Sequence, residues 1–184
     1  MYTLYIDTHS DLLMLALLEK SNVISIKKVN SEKHTDNAVN LIDELLKNVK
    51  ITLSDINLII VINGPGSFTG VRIGVVIAKI MAYTQNIQVK SLTYLEAMAI
   101  NYNREVNVGI KDKNGVFIGE FKKDYSLKKD YFYLTHQEFL NYKKECIFDI
   151  PIDLERIYKY LETKENVNPH LLNPLYVKKL GMIP

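Results

Sequence analysis

Cysteine is nearly missing from this chain. Its 184 residues hold one, Cys146, which excludes an intramolecular disulfide and any zinc site built from several thiolates. It sits in the apolar stretch Glu145-Cys146-Ile147-Phe148 and reads as an inert core thiol. Arginine is scarce as well: of 23 basic residues only Arg72, Arg104 and Arg156 are arginine, and the formal charge is +2. Nothing global therefore advertises a polyanion partner. Such a lysine bias follows from base composition as readily as from selection for charge. No apolar run approaches the roughly 20 residues that span a bilayer. The start, Met1-Tyr2-Thr3-Leu4-Tyr5-Ile6-Asp7, has neither a basic region nor the long apolar core of a signal peptide. A cytoplasmic protein is the simplest expectation.

Catalytic and metal-binding patterns are equally thin. His9, His34, His136 and His170 are scattered, and a metal-binding helix starting at His34 would need a second histidine where Ala38 stands. No GxSxG elbow and no Cys/His pair in a recognisable frame is present. The expectation is a chain without metal ligands or catalytic residues of its own.

What is present is ordinary globular material, 47% hydrophobic and 24% charged, enough for one large domain or two small lobes. Leu4-Tyr5-Ile6, Leu12 to Leu18 and Val23 to Val29 read as strands, with Asp7-Thr8-His9-Ser10 as the first turn. Apolar residues then recur at steps of three and four (Ala38, Leu41, Ile42, Leu45, Leu46, Val49), predicting an amphipathic helix from about Thr35-Asp36. The buried strand Leu58 to Ile62 feeds a glycine-rich turn, Gly64-Pro65-Gly66-Ser67, and a helix in which Gly70, Gly74, Ala78 and Ala82 fall every four residues. Such a stripe of small side chains lets another backbone approach closely. Ile73, Ile77, Ile80 and Met81 flank it, so the helix is expected to be buried over much of its circumference. Further on, Ile87 to Lys90 is expected as a strand, and Thr93 and Glu96 as a capping box opening a helix to about Tyr102. Strands are then expected at Val106 to Lys111, Val116 to Phe121 and Tyr131 to Leu134, a short helix at Leu154 to Leu161, and an irregular end. The texture changes near residue 104, suggesting lobes at 1–103 and 104–184.

A strand feeding a glycine turn at a helix start is a common phosphate cradle. This one lacks the Gly-Lys-Ser/Thr of a Walker loop, with Lys79 too far along the helix, and it does not match the dinucleotide fingerprint. Candidate phosphate contacts are Asp7, Thr8, Gly64, Gly66, Ser67 and Thr69. Asp7-Thr8-His9-Ser10 serves equally well as a hydrogen-bonded turn, and Ser67 or Thr69 as a helix cap.

The segment Gly64-Pro65-Gly66-Ser67-Phe68-Thr69-Gly70-Val71-Arg72-Ile73-Gly74 resembles the signature of the TsaB (YeaZ-like) family of tRNA threonylcarbamoyladenosine synthesis. Ile6-Asp7-Thr8 is similar to the family's first strand and turn, and His34 with Asn40 to Leu46 to its first helix. Ser91 to Ala99 resembles the segment after the signature helix. Asn173-Pro174-Leu175-Tyr176-Val177-Lys178 resembles its closing Pro-x-Tyr-Leu-Arg. The match is weaker between, where Lys111 to Phe117 stands in place of an Asp-Ala-Arg-like turn, so the second lobe reads as reduced. The resemblance implies an α/β protein of the actin-like/Hsp70-like ATPase (ribonuclease H-like) fold. It implies a non-catalytic subunit that pairs with a TsaD-type partner, works with a TsaE-type ATPase and dimerises when alone. It also implies that tRNA is met only through the complex and that ATP or ADP can lie at the TsaB–TsaD boundary. Leu41, Leu45, Gly70, Gly74, Ala78 and Ala82 are its candidate interface residues, for helix contact within the lobe or across a subunit boundary.

Two other readings compete. One is a small ATPase or kinase using Asp7 and the Gly64–Gly66 turn. The other places tRNA contact on Lys122, Lys123, Lys128, Lys129, Lys143 and Lys144, which a solvated lysine-rich surface would equally explain.

Overall fold

An apolar strand covered on both faces must sit inside a sheet with layers above and below it. That is the place of β1 (Tyr2–Asp7), paired antiparallel to β2 (Leu12–Glu19) and parallel to β4 (Ile56–Ile62). The computed structural model describes residues 1–30 and 34–177, with the backbone alone for 34–36. The His34 side chain and the Lys178-Lys179 pair lie outside the described residues. With β3 (Asn22–Asn30) and β5 (Gln88–Leu92) the first sheet has the order β3-β2-β1-β4-β5. Its first three strands form an antiparallel meander, and β1, β4 and β5 run parallel. The helices α1 (His34–Asn48) and α2 (Phe68–Gln85) lie between β3 and β4 and between β4 and β5.

Alternate residues of each strand serve two cores. Leu4, Ile6, Leu15, Ile59 and Val61 face α1 and α2, where Ala38, Ile42, Leu45, Val71, Val75 and Ala78 meet them. Tyr5, Ala16, Ile60 and Ile62 face the opposite way, onto α5 (Leu154–Glu162) through Leu154, Ile157, Tyr158 and Leu161. Each fully buried Leu or Ile contributes about 2 kcal/mol relative to exposure.

After α3 (Tyr94–Ala99) comes a second sheet of β6 (Val106–Asp112), β7 (Gly115–Phe121) and β8 (Phe132–Thr135), followed by α4 (His136–Leu140). The expected Asn114-Gly115 turn joins β6 to β7. Leu95, Met98 and Ala99 of α3 pack against Val108, Phe117 and Phe121.

Chain order and spatial order part company beyond residue 150. The α5 helix lies on the first sheet, and the buried Lys90 ammonium donates to the Leu161 carbonyl at its end. The Val167 N–H donates to the Val89 carbonyl (2.8 Å), Leu172 is buried in the first core, and the Leu175 N–H donates to the Asn63 carbonyl (2.7 Å). Residues 167–177 thus form a strap over the β5 edge and the end of β4.

Among the boundaries that differ from expectation, three have local reasons. The strand after α2 starts at Gln88 and ends at Leu92 because it pairs residue for residue with Leu58 to Ile62. Ile87 closes α2 instead, its N–H reaching the Ala82 carbonyl (3.0 Å) past a left-handed Asn86. Helix α3 stops at Ala99, with Asn101 and Tyr102 bonding back only three residues to Met98 and Ala99.

Candidate functional site

In open α/β sheets the ligand position lies beyond the carboxyl ends of the parallel strands, where the order reverses. Here that position falls between Asp7 at the end of β1 and the Gly64–Ser67 turn after β4. Asp7 is buried, and its contacts are internal. One carboxylate oxygen accepts the His9 N–H (3.0 Å) and lies 2.7 Å from His9 Nδ1; the other accepts the Tyr5 hydroxyl (3.4 Å). The His9 ring stacks on Tyr94, centroids 3.7 Å apart. Burial, with the Asp7 charge adding to it, pushes the Tyr94 hydroxyl up to about 12.

The glycine turn closes onto the same residues. Gly64 precedes a cis proline at φ 122°, a left-handed conformation that favours glycine. The Ser67 N–H donates to the His9 carbonyl (2.6 Å), and a side chain on Gly66 would collide with that carbonyl. Ser67 caps α2, its Oγ accepting the Gly70 N–H at 3.3 Å, while Thr69 is exposed. The Thr8 hydroxyl donates to the Gly70 carbonyl (2.7 Å). Asp7, Thr8, Gly66 and Ser67 are therefore neighbours, joined through the backbone of His9, while a side chain on Gly64 would meet the Leu175 carbonyl and, among the described residues, no side-chain hydrogen bond joins Thr69 to the group.

The small-residue stripe faces inward. Gly70 and Gly74 lie against Thr8, and Ala78 and Ala82 are buried in the first core. Leu45 is buried beside them and Leu41 half-buried. Of the two uses such a stripe can serve, the structure shows the contact within the lobe. The outward face of α2 is a different set: Phe68, Val76, Ile80 and Tyr83 are 47%, 50%, 56% and 65% exposed. Ile80, expected among the flanking residues that bury the helix, is thus a correction. The sequence carries apolar residues all round α2, so periodicity alone did not separate the face that packs from the face that does not.

Arg72 stands among these outward residues. Its guanidinium carbon lies 3.7 Å from the Phe68 ring centroid, and its Nε donates to the Tyr176 hydroxyl at 2.7 Å. Phe68 and Tyr176 also meet, centroids 5.3 Å apart. Among the described residues no carboxylate pairs with Arg72.

In the second sheet Glu120 is buried. It takes Lys144 (2.5 Å), Lys129 (3.3 Å) and the Tyr142 hydroxyl (2.9 Å). Burial alone would raise its carboxyl, but hydrogen bonds from Lys144 and Tyr142 hold it below the usual value. Lys128 pairs with Glu105 at 2.6 Å. Three of the six lysines weighed for tRNA contact are therefore tied to carboxylates, while Lys122, Lys123 and Lys143 are exposed. Burial, then the nearby Glu120 charge, pushes the half-buried Cys146 thiol up to about 12, against nucleophilic use. Among the described residues no three His, Cys, Asp or Glu side chains converge as a metal site, and no helix is long and apolar enough to cross a membrane.

A mixed sheet of order β3-β2-β1-β4-β5 with helices across it is an α/β arrangement of the actin-like/Hsp70-like ATPase (ribonuclease H-like) fold. The family model TsaD, tRNA N6-adenosine threonylcarbamoyltransferase, matches residues 21–109. The tRNA threonylcarbamoyladenosine biosynthesis protein TsaB of Bacillus subtilis is 37% identical over 102 residues, covering 55% of this chain and 44% of that protein. Its namesake from Buchnera aphidicola of Schizaphis graminum is 30% identical over 130 residues, 67% of this chain and 62% of that one. YeaZ from Pseudomonas aeruginosa shares the fold with a TM-score of 0.77 at 18% identity, covering 95% of this chain and 100% of that one. In sequence over these segments, and in fold, the chain is similar to the TsaB (YeaZ-like) proteins. Its matched region spans about half the length of these curated relatives.

Proposed function

We propose that this chain is a non-catalytic subunit in the formation of N6-threonylcarbamoyladenosine beside the anticodon of ANN-decoding tRNAs. It acts by binding a TsaD-type threonylcarbamoyltransferase and holding it in its active form. Kinship with the TsaB proteins supplies the pathway. One observation carries the scaffold role: α2 presents Phe68, Val76, Ile80 and Tyr83 to solvent on the best-matched lobe. A helix face of that kind, aromatic and aliphatic with one arginine among its members, has the composition of a protein interface. A TsaE-type ATPase completes the assembly, nucleotide lies at the boundary between the two related subunits, and the same face pairs with itself when the partner is missing. tRNA is met through the complex.

The competing nucleotide-hydrolysis reading needs a carboxylate free to reach phosphate or metal, and the carboxylate of Asp7 is engaged by His9 and Tyr5. Reconstitution decides between them. Modified tRNA is measured with the cognate TsaD-type and TsaE-type proteins, with and without this chain. Formation of a complex and dependence of the product on this chain support the proposal. Full modification in its absence, with no complex formed, overturns it. ATP turnover by the isolated chain that disappears in Asp7→Ala would establish the competitor.

A further inference from the structure

A single cation in an apolar field is an unusual thing to leave on a surface without a counter-charge. Arg72 lies one turn before Val76 on the outward side of α2, so both belong to one strip. The other basic residue of the helix, Lys79, is turned aside: half-buried, it directs its ammonium to the Leu172 carbonyl at 3.3 Å. Arg72 is also held in place. Phe68 stacks under its guanidinium plane, and Tyr176, arriving from the far end of the chain, takes Nε. Nε is therefore used inside the molecule, and among the described residues the two terminal nitrogens have no hydrogen-bond partner, which leaves a fork matching the two oxygens of one carboxylate. An arginine whose rotamer is already fixed loses less on binding than a free one.

We infer that Arg72 is the charged anchor of the α2 face and receives one carboxylate side chain of the TsaD-type partner. This rests on the docking reading above and names the chemistry that gives it specificity. A protein carboxylate is favoured over a nucleic-acid backbone because phosphate tracks are met by several cations in a row. Here one arginine shares an exposed helix side with Phe68, Val76, Ile80 and Tyr83. The partner's kinship is visible in the chain itself, since the TsaD family model runs across both α1 and α2. Two related lobes can therefore meet through equivalent helix faces. In such a contact a single arginine fixes register and excludes partners that offer no acid.

The test is calorimetric titration of the full chain against its cognate TsaD-type protein, without nucleotide and again with ADP. Arg72→Gln is expected to weaken the complex about 30-fold or more, the usual range for removing one side of a buried charged hydrogen bond. Arg72→Glu is expected to be weaker still by about tenfold, because it sets two carboxylates against each other. Arg72→Lys keeps the charge without the fork and should fall between Arg72→Gln and the unaltered chain. Arg72 is exposed, so an unchanged melting temperature is expected for all three. Equal affinities for the Gln and Glu variants would overturn the inference, and so would an effect seen only with ADP, since the anion would then be a phosphate. Wild-type affinity in Arg72→Gln with the complex lost in Ile80→Asp defeats the inference and leaves the docking face standing. Wild-type affinity in both variants, or no complex from the unaltered chain, defeats the docking reading and this inference with it.

Discussion

Thr8 and Gly74 touch across the gap between β1 and α2, so closely that a methyl group on Gly74 would collide with the Thr8 hydroxyl oxygen. That hydroxyl is already bonded to the Gly70 carbonyl at 2.7 Å, which leaves it no easy retreat. Gly74→Ala must therefore push the helix off the sheet or break that bond. The expected cost is about 1–3 kcal/mol, the range for overpacking a filled core. Urea unfolding of the two proteins checks it, and an unchanged midpoint would show that the contact yields freely.

Asp7 collects three donors in a buried place: the His9 N–H, the His9 ring and the Tyr5 hydroxyl. Burial first, and then the Asp7 charge, holds the Tyr5 hydroxyl well above its usual range. Asp7→Ala removes the acceptor and leaves those donors inside. Each unsatisfied buried group costs about 1–3 kcal/mol, so a loss of about 2 kcal/mol or more is expected by thermal or urea unfolding. A phosphate-binding aspartate would behave in the opposite way. Carboxylates kept for ligands are held at a cost to stability, and their removal often stabilises the apo protein.

Much of this arrangement could be read from the sequence. The meander, the amphipathic α1 and the glycine turn are local patterns, and Thr8, Ser67 and the Gly70/Gly74 stripe were named from them. What could not be read is non-local. Nothing in residues 154–162 says that their apolar side packs under Tyr5 and Ile60 rather than on the second sheet. Tyr176 and Arg72 are brought together by a strap whose path depends on Leu172 reaching the first core. The outward face of α2 is hidden for another reason: Val75 and Val76 look alike in the sequence, yet one is buried and the other half exposed.

Two glutamates, one in α3 and one in the second sheet, should oppose each other in their pH dependence. Burial holds the Glu96 carboxyl above its usual value, despite the Tyr160 hydroxyl donating to it at 2.6 Å. A folded pKa above the unfolded one means that its contribution is fully present below the unfolded value of about 4.3 and is lost as pH rises through the folded value. Glu120 is held below its usual value by Lys144 and Tyr142, against the effect of burial. Its contribution is present above about 4.3 and is lost as pH falls through the folded value. Glu96→Gln should therefore flatten the loss of stability just above pH 4.3, and Glu120→Gln the loss below it. Urea midpoints measured from pH 3 to pH 7 check both, and a variant with the parent's slope in its own window would contradict the assignment.

The two sides of the α1/α2 layer should respond in opposite ways to substitution. Leu45 is 1% exposed and packs in the first core. Leu45→Ala should cost about 2–5 kcal/mol of stability and weaken partner binding only as far as the lobe itself loosens. Ile80 is 56% exposed. Ile80→Asp should change stability by no more than about 0.5 kcal/mol yet abolish the complex with the TsaD-type partner, because it leaves a charge in the middle of an apolar contact. Unfolding midpoints and co-elution measured on the same two preparations separate folding from docking. If Leu45→Ala alone lost the complex while its melting temperature held, the contact surface would include the buried side of α1 after all, and that helix would have to turn outward to reach it.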